Sequence, residues 1–358
     1  MKQNNLNSFG FDCLLFERCN LHCTFCLEEH SVNDIDIQWI RQLPSLLLER
    51  FEKEYEKHSE TNLITFRIWG GELFFDALPN ELFEEYKMFV EQTKRLFNKT
   101  FPEIKLDFAW VSNGVFKNIE RVINLLKETN SGINLSYDPI GRFHKKELED
   151  LMIENALHFH SLGLLNEISI TLTKPCINAY VNDKSRLLDL KFAKKIDINY
   201  YIPNINWKTL LPSDDDLFNF FKWAINNKLF QIIDLNSLLL TLTGKMSKCV
   251  KGCNCHKHLS ACKNCITYNC VKSSTIFPNA DFYGDTVITE DNVSEIKKYK
   301  GMCKRGCFYC KYIDKCPGCC WTSIIYKNAT LDNCPFKKII EYVEQNSNIK
   351  NEFMQWKL

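Results

Sequence analysis

Phe16-Glu17-Arg18-Cys19-Asn20-Leu21-His22-Cys23-Thr24-Phe25-Cys26 sets three cysteines at C-x3-C-x2-C spacing, directly after an apolar run from Phe11 to Phe16. Four thiolates close a zinc tetrahedron or complete an iron–sulfur cluster, and this loop offers three. A cubane held by three thiolates keeps one iron without a protein ligand, and that iron can bind a substrate or cofactor. The same spacing suits a zinc knuckle, or three cysteines buried as small hydrophobes. The rest of the chain has to decide between these readings.

Outward from that loop, the region from Phe11 to about Asn204 alternates strand-like and helical patterns, as parallel βα units do. The strands are expected at Phe11–Phe16, Leu63–Trp69, Lys105–Val111, Gly132–Tyr137, Glu167–Thr173 and Asp197–Ile202. Amphipathic helices are expected at Ile37–Tyr55, Leu82–Phe97, Ile119–Thr129, Lys146–Leu162 and Lys184–Lys194. Six units make an incomplete TIM-like barrel, with the active site at the C-terminal ends of the strands. The fold class is therefore α/β, a partial (β/α)6 barrel followed by a small cysteine-rich domain. The expected division is an extension over 1–10, the barrel over 11–205, a bridging helical segment over 206–245, the cysteine-rich domain over 246–335 and a C-terminal helix over 336–358.

Directly after Leu63–Trp69 comes Gly70-Gly71-Glu72, and glycines at a strand end permit close approach of backbone to a ligand. Ser112-Asn113-Gly114 closes the third strand, either as an ordinary Asn-Gly turn or as part of a site, and Ser136-Tyr137-Asp138 the fourth. The cysteine loop, with the aromatic Phe25 before its third cysteine, resembles that of the radical S-adenosylmethionine (SAM) superfamily. Gly70-Gly71-Glu72 resembles that family's GGE motif. The resemblance implies a 4Fe–4S cluster on Cys19, Cys23 and Cys26, with SAM chelated at the open iron and cleaved by one electron to a 5'-deoxyadenosyl radical. It further implies SAM contacts from Phe25, Gly70, Gly71, Glu72, Ser112, Asn113 and Ser136, with Glu72 accepting from the SAM ammonium. The stretch after Ser136 resembles an S-x-D-G…H-D…R segment of peptide-modifying members, with departures. Pro139 replaces the glycine, Lys145 the aspartate, and Leu148 stands where an arginine is expected; Arg142, Lys145 and Lys146 are the nearby cations.

Of 18 cysteines, 13 fall between Cys249 and Cys334, and only Cys13 and Cys176 lie outside the clusters, as core residues. So dense a segment with so little apolar periodicity must draw its folding free energy from metal. Cys307, Cys310, Cys316, Cys319, Cys320 and Cys334 resemble the SPASM extension, which carries two auxiliary iron–sulfur clusters in radical SAM enzymes that modify peptides and proteins. Its crossed connectivity implies Cys307, Cys310, Cys316 and Cys334 on one cluster. Cys320 would join Cys270, an upstream cysteine (Cys265 ahead of Cys262) and Asp285 on the other. Asp285 stands where that family has cysteine; a carboxylate can bind iron, and a turn residue after Gly284 is the other reading. Cys249, Cys253, Cys255, Cys262, Cys303 and Cys319 exceed what two clusters need, leaving open a separate zinc site or spare reactive thiols.

Composition excludes several other classes. A net charge of +1 gives no electrostatic case for nucleic acid or an anionic membrane surface. No run approaches the roughly 18 apolar residues of a membrane span. Met1 to Gly10 lacks the apolar core of a signal peptide, so the expected location is the cytoplasm, where clustered cysteines bind metal rather than form disulfides.

The function expected is thus a radical SAM enzyme that abstracts hydrogen from a peptide or protein side chain, giving a crosslink such as a thioether, or an oxidation. Formation of formylglycine is disfavoured, because Asp285 takes the cysteine position itself and Thr286 follows it. A low-potential flavodoxin- or ferredoxin-type donor would supply the electron. The short N-terminal extension leaves no room for a leader-binding winged helix, which calls for a separate leader-peptide-binding protein or direct recognition. A small-molecule or cofactor-precursor substrate is the alternative, and a non-enzymatic zinc-binding module a more remote one. No side chain stands out as a catalytic acid or base.

Overall fold

The computed structural model describes residues 7–26, 35–201, 207–245, 258–262, 265–267, 309–312, 315–316 and 330–357. Six strands, β1 (Ser8–Leu14), β2 (Leu63–Trp69), β3 (Lys105–Ser112), β4 (Gly132–Ser136), β5 (Leu165–Leu172) and β6 (Ile196–Tyr200), lie side by side in sequence order and all parallel. They form a curled half-barrel, the α/β architecture expected from the alternating pattern. Parallel neighbours need crossovers, and these are α1 (Ile37–Tyr55), α2 (Asn80–Thr100), α3 (Ile119–Glu128), α4 (Lys146–Ser161) and α5 (Lys174–Val181).

Strand alternation separates the two faces of the sheet. On the helix-covered face Phe11, Phe66 and Phe108 are register partners. Their rings stack at 5.4 and 4.7 Å between centroids, and Phe97 of α2 packs edge-on at 5.3 Å from Phe66. The apolar stripe of α1 (Trp39, Ile40, Leu43, Leu47 and Phe51) is buried against the same face. Asp36 caps that helix by accepting from Trp39 N at 3.1 Å, and the Trp39 indole donates to Leu14 O at 3.1 Å, fixing the helix to the end of β1. The opposite face is polar: Asp12 and Arg67, partners across β1 and β2, form an ion pair, and Asn134 donates to Glu167 at 2.8 Å.

Two of the expected elements are displaced. The first strand is Ser8–Leu14, not Phe11–Phe16: these seven residues pair in register with Leu63–Trp69, while Leu15 and Phe16 are buried in the loop that follows. No regular α-helix covers Lys184–Lys194. The crossover helix is α5, capped by Thr173 with a proline in its first turn, and a single 3-10 turn at Leu187–Leu190 follows. Asp183, at φ 53°, ends α5.

Beyond the barrel lie α6 (Trp207–Leu210), α7 (Asp214–Asn226) and α8 (Ile233–Leu242). A capping box between Ser213 and Asp216 starts α7. The helices α9 (Pro335–Gln345) and α10 (Ser347–Lys357) pack back on this bridge, Phe336 meeting Phe221 at 5.5 Å and Phe353 meeting Phe230 at 5.6 Å. Trp356 stacks on Phe353 and packs on Phe230, a structural placement. Two further strands extend the sheet beyond the six expected: β7 (His258–Cys262) pairs parallel with β1, and β8 (Cys265–Thr267) returns antiparallel. Among the described residues no helix is long and apolar enough to cross a membrane.

Candidate active site at the strand ends

The cysteine loop leaves β1 at its C-terminal end, where the site of a parallel barrel lies. Backbone hydrogen bonds strap it to the end of β2: Gly71 N donates to Phe16 O at 2.8 Å and Glu72 N to Arg18 O at 2.9 Å. This contact explains the two glycines. A Cβ on Gly70 would lie 2.8 Å from Phe16 O, and one on Gly71 would lie 2.2 Å from both the Glu17 and Arg18 carbonyl oxygens. Glu72 is 1% exposed, and its carboxylate accepts from Phe74 N at 3.0 Å, Ser112 Oγ at 2.7 Å and Asn113 N at 2.6 Å. Burial pushes its carboxyl above the usual range, and these donors pull it back. Ser112 also accepts from Gly114 N at 3.0 Å.

Asn113 joins the end of β3 to the same loop. Its amide donates to Asn20 Oδ1 at 2.8 Å and lies 4.0 Å from Cys19 Sγ, while its Oδ1 accepts from Val115 N at 2.8 Å. Asn20 returns a bond to Val115 O at 2.9 Å. Cys19, Cys23 and Cys26 are each half-buried, and Leu21 N donates to Cys19 Sγ at 3.4 Å. Burial pushes the Cys19 thiol up to about 12 and raises Cys23 as well, Arg142 pulling Cys23 back. Metal capture by such thiols therefore releases protons.

The β4–α4 loop closes the other side. Thr24 N donates to Gly141 O at 3.1 Å, and Gly141 has φ +98°. Next to it, Arg142 Nε donates to Asp138 Oδ2 at 2.9 Å, and its guanidinium sits 5.4 Å from the Phe25 ring centroid. Burial works against the Arg142 charge, yet Cys23, Asp138 and Cys26 hold its guanidinium above the ordinary arginine range. Ser136 ends β4, opposite Ser169 in register.

The strand ends thus bring together Cys19, Cys23, Cys26, Phe25, Gly70, Gly71, Glu72, Ser112 and Asn113, with Ser136 at the end of the next strand. Sequence reading left Asn20 and Gly141 unmarked and Arg142 unchosen among three cations. Lys146 instead pairs outward with Asp150 at 3.9 Å. The donor set fits an iron–sulfur cluster: three accessible thiols, two nitrogen donors near Cys19 Sγ, and a buried cation within reach of Cys23 and Cys26. Among the described residues no three His, Cys, Asp or Glu side chains gather about a single metal ion. A cubane places each thiolate on its own iron, so its ligands need no common point.

In the C-terminal part, Cys310 and Cys316 are half-buried and Cys334 is buried at the start of α9. Cys310 lies within electrostatic reach of Lys337. Cys249, Cys253, Cys255, Cys270, Asp285, Cys303, Cys307, Cys319 and Cys320 lie outside the described residues, as do the side chains of Cys262 and Cys265. Cys13 and Cys176 are fully buried core residues.

The curled half-barrel of parallel strands is a partial TIM-like barrel. Among solved structures, native anSMEcpe with bound AdoMet superposes with a TM-score of 0.65 at 16% identity, covering 96% of this chain and 99% of that one. Native anSMEcpe with AdoMet and the Kp18Cys peptide gives 0.64 at 17%, with the same coverage. Streptococcus suis SuiB gives 0.52 at 15%, covering 91% and 77%. At these identities the likeness establishes the fold. No protein-family model and no curated protein sequence matched the chain.

Proposed function

We propose that the chain is a radical SAM enzyme that modifies a peptide or protein side chain. The observation that carries this reading is the strapping of the three-cysteine loop to the Gly70-Gly71-Glu72 turn and the Ser112-Asn113 strand end. When bound, the 4Fe–4S cluster and SAM supply the chemistry: one electron splits the sulfonium, and the 5'-deoxyadenosyl radical takes a hydrogen atom from the substrate.

In this reading Cys19, Cys23 and Cys26 would hold the cluster and leave it open to SAM. Gly70 and Gly71 bring backbone to the loop without side chains in the way, and Glu72 fixes the ends of β2 and β3 together beneath it. Phe25, Ser112, Asn113 and Ser136 would contact SAM. A reactive radical requires a site shielded from bulk water. One neighbouring structure is anSMEcpe with bound AdoMet and the Kp18Cys peptide, and this favours a peptide substrate over a small molecule.

The cysteine-rich region over 246–335 would carry one or two auxiliary clusters, on Cys307, Cys310, Cys316 and Cys334 and on Cys265, Cys270, Cys320 and Asp285. A flavodoxin- or ferredoxin-type protein would deliver electrons. Anaerobic reconstitution followed by assay of iron, acid-labile sulfide and zinc tests the metal content. About twelve irons per chain are expected, three cubanes in all, and about eight would leave one auxiliary site empty or otherwise filled. Zinc at stoichiometry with no iron would overturn the reading.

A further inference from the structure

We propose that Arg142 is a positioning residue that sets the reduction potential of the cluster on Cys19, Cys23 and Cys26, with Asp138 holding its guanidinium in place. This rests on the radical SAM reading and adds a property which that reading leaves open. The placement follows from two fixed points. Gly141 is pinned to the cysteine loop through Thr24 N, between Cys23 and Cys26; a Cβ there would lie 2.6 Å from Thr24 Oγ1, so the two loops are in close contact. Asp138 is fully buried and accepts a hydrogen bond from Thr171 N on β5, so the sheet itself anchors the carboxylate that grips Arg142 Nε.

The guanidinium lies between these anchors. Its side chain is 15% exposed and Phe25 lies beside it, so solvent and salt screen it weakly. Arg142 follows the residue bonded to Thr24 and lies 5.4 Å from the Phe25 ring centroid, so its charge stands beside the segment that carries Cys23 and Cys26. A fixed positive charge beside an iron–sulfur cluster favours the more negative, reduced state, and so raises its potential. In the chain as read, that makes the cluster easier to reduce by a low-potential donor.

The test is a redox titration of the reconstituted holoenzyme without SAM, dithionite supplying one electron per cluster. It is followed by electron paramagnetic resonance of the signal that later responds to SAM. Arg142→Gln with full iron content is expected to titrate at a more negative potential than wild type, and Arg142→Lys to return most of the way. Equal potentials in loaded wild type and R142Q would overturn the proposal. If R142Q takes up no iron, R142K decides: loading at a potential close to wild type supports a role for the charge, while failed loading or a potential far below wild type overturns it. A wild-type chain that binds no iron would instead end the radical SAM reading itself.

Discussion

Gly71→Ala is expected to strip the iron from the cysteine loop while leaving the rest of the fold in place. The new Cβ would stand 2.2 Å from two carbonyl oxygens, those of Glu17 and Arg18. Both are backbone atoms, so no rotamer change relieves the contact. Either the end of β2 or the cysteine loop must move, and the bonds from Gly71 N to Phe16 O and from Glu72 N to Arg18 O go with it. Overpacking of a core position costs about 1–3 kcal/mol, and a backbone clash with two atoms belongs at the upper end. The measurable result is about four fewer irons per reconstituted chain, the content of one cubane, with helical circular dichroism unchanged. Gly163→Ala is the control: its φ of +70° makes alanine strained there, but nothing lies within 4 Å of its Cβ position and it is no part of the strap, so iron content should match wild type. Full iron loading in G71A would show that the strap does not shape the site.

Glu72→Ala comes second. Three donors converge on this carboxylate, from Phe74 N, Ser112 Oγ and Asn113 N, and the substitution orphans all of them in a buried place. Each buried donor left unpaired costs about 1–3 kcal/mol, so a loss of about 3 kcal/mol or more is expected in urea unfolding at neutral pH. Removing a buried charge gives some of that back, because burial already disfavours the ionised form. Loss of the acceptors wins, since truncating one side of a buried hydrogen-bonded set leaves the other side stranded. Glu72→Gln keeps one acceptor oxygen and should fall between wild type and E72A. A stability of E72A equal to wild type would mean that the carboxylate does not tie β2 to β3.

Much of this arrangement was legible in the sequence where one short segment carries the whole signal. The helix Ile37–Tyr55 and the strand Leu63–Trp69 have the expected bounds, because an unbroken apolar stripe and a clean alternation mark them. The start of β1 was blurred by the continuous apolar run through Phe16, whose last residues are buried without belonging to the strand. Leu187, Leu188 and Leu190 imitate a helical stripe, while the true start signal, Thr173 followed by Pro175, lies a dozen residues earlier. In the site, the three cysteines stand out by their spacing, and Gly70-Gly71-Glu72 by its place at a strand end and its resemblance to a family motif. Asn20, Gly141 and Arg142 do not, because their meaning arises only when the loops after β1, β3 and β4 meet at one end of the sheet. A sequence motif records neighbours along the chain, and these contacts span more than 90 positions. Glu72 reads differently at the two levels for the same reason: a carboxylate open to an ammonium in sequence, and one already holding three chain donors in the fold.

The central claim is that this loop holds a cluster which cleaves SAM. The direct measurement is 5'-deoxyadenosine released when the anaerobically reconstituted, dithionite-reduced protein is mixed with SAM and no other substrate. Release above the level given by a Cys19, Cys23 and Cys26 triple alanine variant is the expected result. Release equal to that variant, from wild-type protein assayed to contain iron and sulfide, would contradict the account.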